Sequence, residues 1–293
     1  MTAAILLSIL VCIYTMQSLF CKVFSDLYAG DKEASGGVFT VLYGAFVGIA
    51  TLIVSLFDFN PASLTWIYGL LCALMLFIYN FSMVNASRQG SYAFMTLCML
   101  SGGIVLPCFA SVLILDQPLT GIAVLGIIVM LIAFVVLNVQ NIKLKGSPVS
   151  YYIWCALLFI SNGVFGAVTS LQANQVGSVD RSEMVVITYI GSFIVAMIQL
   201  VATRKKKVGS DFARIGKKAW LAGLCSFTCA TIAINLALVV LTLINPAIYA
   251  AVENGAILVL SAICSAIIFK ERFTKMQLLG MTLAVISIVL LSI

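Results

Sequence analysis

Apolar runs of roughly 20 residues, broken by short polar punctuation, recur along almost the whole chain. In the first half they cover 3–24, 36–57, 62–85, 91–115 and 119–139. In the second half they cover 150–174, 182–203, 217–241, 245–269 and 274–293. Each is long enough to cross a bilayer as a helix, so the pattern predicts ten spans. Connections are short, and Asn60 with Pro61, and Gly146, Ser147 and Pro148, are turn signals between runs. The long, strongly charged connection is 204–218. No stretch reads as a soluble domain or a low-complexity tail. The first run lacks a basic start and a small-residue cleavage site, so it reads as a helix rather than a removable signal.

Composition points the same way. The chain is 63% hydrophobic and 9% charged, against about 45–50% and 25% for soluble domains. A surface so poor in charge needs lipid as its solvent. The fold class is therefore an all-α integral membrane protein of about ten transmembrane helices. The nine cysteines stand singly without a CxxC pair, and His is absent. Zinc or haem binding is disfavoured and no cofactor is expected.

The two halves resemble each other. Residues 114–120 (Ile-Leu-Asp-Gln-Pro-Leu-Thr) align with 268–274 (Ile-Phe-Lys-Glu-Arg-Phe-Thr) at an offset of 154, which also puts Gly126 on Gly280. An offset of 147 puts Phe39 to Gly44 on Val186 to Gly191. The difference falls in the basic connection, where an insertion costs little. In order, these matches predict two five-helix repeats, 1–140 and 141–293. Five is odd, so the second copy enters the membrane inverted, as in many secondary transporters with a substrate site between copies.

A short polar turn ending in Leu-Thr or Phe-Thr, a Gly six residues later and a final apolar helix close both halves. The run Lys270 to Thr274, then Gly280 and apolar sequence to Ile293, resembles the end of an EamA domain. The first copy departs from it, with Asp116, Gln117 and Pro118 at the turn. Similarity to the drug/metabolite transporter superfamily implies a ten-helix bundle around a central cavity, with the fifth and tenth helices outside it. The superfamily carries amino acids, sugars, nucleotide sugars, purines and drugs.

Charge adds orientation. Lys and Arg cluster on odd-numbered connections and their helix ends, from Lys22, Lys32 and Arg88 to Arg204–Lys218 and Lys270–Lys275, while the even side carries only Arg181. The positive-inside rule then puts 204–218 in the cytoplasm of a multi-pass cell-membrane protein, with both termini external. The basic run has no interleaved aromatics and no fold to present them, so it reads as a topogenic anchor meeting anionic headgroups, not as a nucleic-acid site.

Polar residues in hydrocarbon are costly and should face the bundle interior. Tyr14, Gln17, Ser18 and Cys21 form one stripe on the first span. Tyr79 and Asn80 mark the third; Asn162, Thr169 and Gln172 the sixth; Thr228, Thr231 and Asn235 the eighth; Asn245, Tyr249 and Glu253 the ninth. The fifth and tenth are nearly bare. From these the candidate substrate-binding set is Tyr14, Gln17, Tyr79, Asn80, Asn162, Asn235, Tyr249 and Glu253. On the second span Thr40, Gly44, Gly48, Thr51 and Ser55 form a small-residue face suited to close helix packing.

Glu253 stands apart as the acid well inside a span, about 12 Å from its end at 1.5 Å per residue. An ionised carboxylate there must be protonated, paired or hydrated. Lys22 is the nearest candidate partner. A carboxylate that changes charge with exposure could couple protons to solute movement or bind a cation.

These features predict a secondary active transporter, an exporter or exchanger of a small organic solute (amino acid, sugar, nucleobase or cationic drug). It would work by alternating access with Glu253 as proton-coupling residue. No Walker motif supports ATP as driver. The rival class is a non-transporting scaffold or membrane-embedded enzyme. An enzyme needs a paired constellation that one buried acid without His cannot supply. A scaffold has no need of a wet interior. Besides the solute and the bilayer, the sequence leaves a homodimer open as a partner.

Overall fold

A computed structural model describes residues 2–56, 59–89, 92–138, 148–176, 180–269 and 274–291. The helices follow the apolar runs. They are α1 Thr2–Leu27, α2 Lys32–Val54, α3 Ser63–Gln89, α4 Tyr92–Leu113, α5 Gly121–Asn138 and α6 Val149–Leu171. A π turn, Gln172–Val176, extends α6. There follow α7 Arg181–Arg204, the short α8 Val208–Ala213, α9 Lys217–Val240, α10 Pro246–Phe269 and α11 Lys275–Leu291. The eighth, ninth and tenth apolar runs are thus α9, α10 and α11.

Seven of these helices are long and apolar enough to cross a membrane. Three more apolar stretches are shorter over their described residues: Gly121–Leu137, Pro246–Leu260 and Lys275–Leu291. The chain is a multi-pass membrane protein. The turn 270–273 of the closing motif and the side chain of Lys22 lie outside what is described.

The Leu-Thr and Phe-Thr motifs have a physical role as helix starts. Thr120 Oγ1 accepts from the Ala123 N–H at 3.1 Å before α5. Thr274 Oγ1 accepts from Gln277 N–H at 3.3 Å, and Gln277 Oε1 accepts from Thr274 N–H at 2.9 Å, before α11. The second is a reciprocal capping box.

Packing intertwines the halves. The most extensive helix pairings are α4 with α6, α2 with α7, α5 with α11, α1 with α9, α3 with α6 and α3 with α7. Each joins one half to the other. The small-residue face of α2 meets α7: a Cβ at Gly44 would stand 2.6 Å from the Tyr189 carbonyl. In the α5–α11 pair, a Cβ at Gly126 would lie 2.8 Å from Leu291 Cγ, and one at Gly280 2.5 Å from Leu137 Cγ. Small residues here let two backbones approach. Ser287 Oγ then reaches the Gly126 carbonyl at 2.6 Å.

Polar side chains tie both ends of the bundle. At the end carrying the basic connection 204–218, Arg204 donates from Nε to Asp211 Oδ2 at 3.0 Å and from Nη2 to Asp31 Oδ2 at 2.8 Å. The Tyr28 hydroxyl donates to the Asp211 carbonyl at 3.1 Å. At the opposite end, Asp180 Oδ2 accepts from Ala62 N–H at 2.6 Å and from Thr65 Oγ1 at 2.9 Å. Gln172 Nε2 donates to Thr65 Oγ1 at 3.1 Å, and Gln117 Nε2 to Asn174 Oδ1 at 3.1 Å. The Tyr68 hydroxyl donates to Gln175 Oε1. The π turn widens the helix by one residue per turn and carries Gln172, Asn174 and Gln175 together.

Candidate functional site: a central polar cavity

α10 begins where sequence chemistry requires. Asn245 Oδ1 accepts from the Ala247 N–H at 2.9 Å and from Ser111 Oγ at 3.1 Å. Pro246 takes the first helical position, where its missing N–H costs nothing. Two turns on, Glu253 is half-buried. It faces a cavity of about 290 Å³ whose walls come from α1, α2, α3, α4, α6, α7, α9 and α10. Neither α5 nor α11 contributes a lining residue.

Six of the eight sequence candidates line this space: Tyr14, Gln17, Tyr79, Asn162, Tyr249 and Glu253. Asn80 and Asn235 do not. Adjacent helical residues point about 100° apart, so Tyr79 in the wall turns Asn80 away from it. The Asn80 side-chain nitrogen is buried without a partner among the described residues. Asn235 donates to the Thr231 carbonyl at 2.8 Å and to Thr51 Oγ1 on α2 at 3.3 Å. In the polar stripe of the eighth span, Asn235 thus reaches a neighbouring helix, while Thr228 and Thr231 bond the Leu224 and Phe227 carbonyls of their own helix. Its cavity face is apolar, formed by Ile234, Ala237, Leu238 and Leu241. Gln172 is drawn into the end cluster instead.

The lining is a connected set. Gln17 Nε2 donates to the Tyr43 hydroxyl at 3.0 Å, and that hydroxyl lies 3.4 Å from the hydroxyl of Tyr189. Tyr43 accepts from Gln17, and within the Tyr43–Tyr189 pair either hydroxyl can donate to the other. The two rings meet edge-on with centroids 5.3 Å apart. Across the cavity, Tyr79 donates to Met99 Sδ at 3.0 Å and Asn162 Nδ2 to the Met99 carbonyl at 2.9 Å. Tyr14 on α1 and Tyr249 one turn before Glu253 are its electrostatic neighbours. The Tyr249 hydroxyl makes no hydrogen bond of ordinary geometry. Among the described residues, no Lys or Arg lines the cavity.

Sequence reasoning missed Tyr43, Tyr189, Ser161 and Asn254 as lining residues. A tyrosine in an apolar run carries no polar periodicity. The available signal was the offset alignment of Phe39–Gly44 with Val186–Gly191, whose two segments hold Tyr43 and Tyr189.

A second recess of about 300 Å³ lies near the basic end, between Phe77, Phe81 and Asn85 of α3 and Gln199, Thr203 and Arg204 of α7. Its guanidinium is already committed to two carboxylates. The central cavity, with an intramembrane acid that has no such partner among the described residues, is the stronger site.

A half-buried acid thus stands in a polar cavity enclosed by helices from both halves. Residues 152–293 match the EamA-like transporter family, which belongs to the drug/metabolite transporter superfamily. Comparison with curated proteins gives no match. Among solved structures, one described only as "Crystal structure of protein" is similar over 100% of this chain and 98% of its own, with a TM-score of 0.76 at 15% identity. That likeness is one of fold alone.

Proposed function

We propose that the chain is a secondary transporter that moves a small organic solute by alternating access, two inverted five-helix copies (1–140 and 141–293) rocking around the central cavity. Support for the repeat comes from the pairing of helices. A two-fold exchanging the copies maps α2 onto α7, α4 onto α10 and α5 onto α11, and each of these helices packs on its own counterpart. The same operation turns the α1–α9 pair into the α6–α3 pair, and both exist.

Glu253 carries the functional reading. It is the coupling residue: protonated when the cavity is empty, ionised when solute or water reaches it. The titratable groups beside it are the phenols of Tyr14 and Tyr249, with Tyr43 and Tyr189 beyond; among the described residues no cation lines the cavity with it. Glu253→Gln keeps size and hydrogen bonding but cannot ionise. In proteoliposomes the variant should still fold and exchange solute yet lose uphill, pH-dependent transport. Normal pH-driven accumulation by Glu253→Gln removes the coupling role.

The basic connection lies in the cytoplasm in this reading, and the even-numbered connections and both termini outside. In a cysteine-free background, an impermeant maleimide applied to intact cells should label Asn60→Cys and spare Ser210→Cys. The reverse pattern inverts the orientation.

A further inference from the structure

The chemistry of the lining goes further than a generic solute. We infer that the central cavity is built for a compact quaternary ammonium cation, held by aromatic rings and a single carboxylate. This rests on the carrier reading and names the substrate class of that same site.

Charge is the first ground. Among the described residues the lining supplies one acid, Glu253, and no Lys or Arg. The described cationic cluster at Arg204 sits at the bundle end and is saturated by Asp31 and Asp211. A phosphate or carboxylate entering the cavity would meet no counter-charge among the described residues, in a medium where an unpaired ion is strongly disfavoured. A cation would meet one.

The rings are the second ground. Tyr14, Tyr43, Tyr79, Phe165, Tyr189 and Tyr249 reach the cavity from α1, α2, α3, α6, α7 and α10. A ring face attracts a cation, most strongly when water is excluded, and enclosure by several rings is how proteins hold alkylammonium groups that have no N–H to donate. The polar groups that a sugar would need are largely occupied within the protein. Gln17 is bonded to Tyr43, Tyr79 to Met99, Asn162 to the Met99 carbonyl, and Asn254 to the Ala250 carbonyl at 2.7 Å. Beside the Tyr249 hydroxyl and the amide oxygens, what the cavity offers a solute is ring surface and one carboxylate.

Size is the third. At about 290 Å³ the cavity lies at the small end of ligand sites, which run from about 300 to 1,000 Å³. That suits choline or tetraethylammonium better than a large amphiphile.

The test uses the full chain in detergent and compares choline with 3,3-dimethylbutan-1-ol, its uncharged carbon isostere, beside tetraethylammonium, glucose, leucine and inorganic phosphate. Choline and tetraethylammonium should stabilise the protein against heating and the isostere should not. Glu253→Gln should weaken choline binding tenfold or more. Tyr14→Leu should weaken it about fivefold to thirtyfold, the range expected for losing one cation–ring contact, and Tyr14→Phe, which keeps the ring, should lose less than Tyr14→Leu. Equal binding of choline and its isostere, preference for glucose, leucine or phosphate, or equal losses for Tyr14→Phe and Tyr14→Leu would overturn the inference. If Glu253→Gln fails to fold, the comparison of choline with its isostere on the unaltered protein still decides. Radiolabelled choline flux in proteoliposomes separates the two readings. Binding without flux sinks the carrier and keeps the cation; flux of another solute from the panel without choline binding sinks the cation and keeps the carrier.

Discussion

The basic end of the bundle is tied by charge, and the opposite end mainly by neutral hydrogen bonds. At the first, one guanidinium bridges Asp31, before α2, and Asp211, in α8, so that two connections far apart in sequence share one ion cluster. At the second, the amides of Gln117, Gln172 and Asn174 and the hydroxyls of Thr65 and Tyr68 converge, with Asp180 the carboxylate that accepts. A carrier that alternates must part each set in turn. Ion pairs with an exposed member weaken with salt, whereas hydrogen bonds between neutral groups barely respond. The Asp31 side chain is 39% exposed. In the carrier cycle proposed above, ionic conditions would then act more on the end held by Arg204 than on the end held by Asp180.

The largest effect is expected from Arg204→Ala. It strands Asp211, whose side chain is 2% exposed, and a buried charge without its partner is strongly destabilising. The apparent melting temperature should fall further than in the other variants named here. Chymotrypsin should cut near Phe212 sooner, and part of the loss should return when Asp211→Leu is added. Unchanged stability and protease resistance would mean that the ion cluster does not hold this end.

Asp180→Ala comes next. It removes the acceptor for the Ala62 N–H and for Thr65, bonds to a carboxylate worth about 1.5–3 kcal/mol. Thermal unfolding in detergent should register the loss equally at low and high salt. Strong salt dependence would erase the contrast between the ends. Gln172→Leu should cost less, about 1 kcal/mol for a neutral bond, since Thr65 keeps Asp180 as partner.

The smallest effect sharpens the contrast through pH. Burial first, and the Asp211 carboxylate next, hold the Tyr28 phenol above its ordinary value of 10.0. An acid whose folded-state value is raised stabilises the fold in its neutral form. That contribution is intact below about pH 10 and is lost as pH rises from there through the folded-state value. Melting curves of wild type should therefore steepen in their decline above pH 10 relative to Tyr28→Phe. Parallel curves would remove the Tyr28 hydroxyl from the cluster.

The positions of the helices were legible because apolar runs and their punctuation set them. Thr120 and Thr274, read only as motif letters, turn out to cap α5 and α11. The absence of α5 and α11 from the cavity wall was also readable, since a helix without polar groups has nothing to offer a wet space. The cavity set was readable only in part. A stripe shows which face is polar but not which neighbour it meets, so Asn235 could equally face a solute or Thr51, and it meets Thr51. The paired phenols of Tyr43 and Tyr189 stayed hidden because their meeting depends on the close approach of α2 and α7 at Gly44, a matter of helix contact rather than of residue type. The π turn after α6 left no periodic trace.

The crossing of helices between halves has a consequence for biogenesis. Every one of the most extensive pairings joins a helix from 1–140 to one from 141–293. When α1 to α5 have left the ribosome, their partners have not yet been made. The first half must wait in the bilayer with its small-residue faces uncovered, since no extensive contact within that half can cover them. Assembly is then committed late, once the second half arrives. An insertion factor that shelters unpartnered helices would act on this chain chiefly during that interval. For the same reason, two separately synthesised halves should find each other in the membrane, because nearly all that stabilises either one is the other.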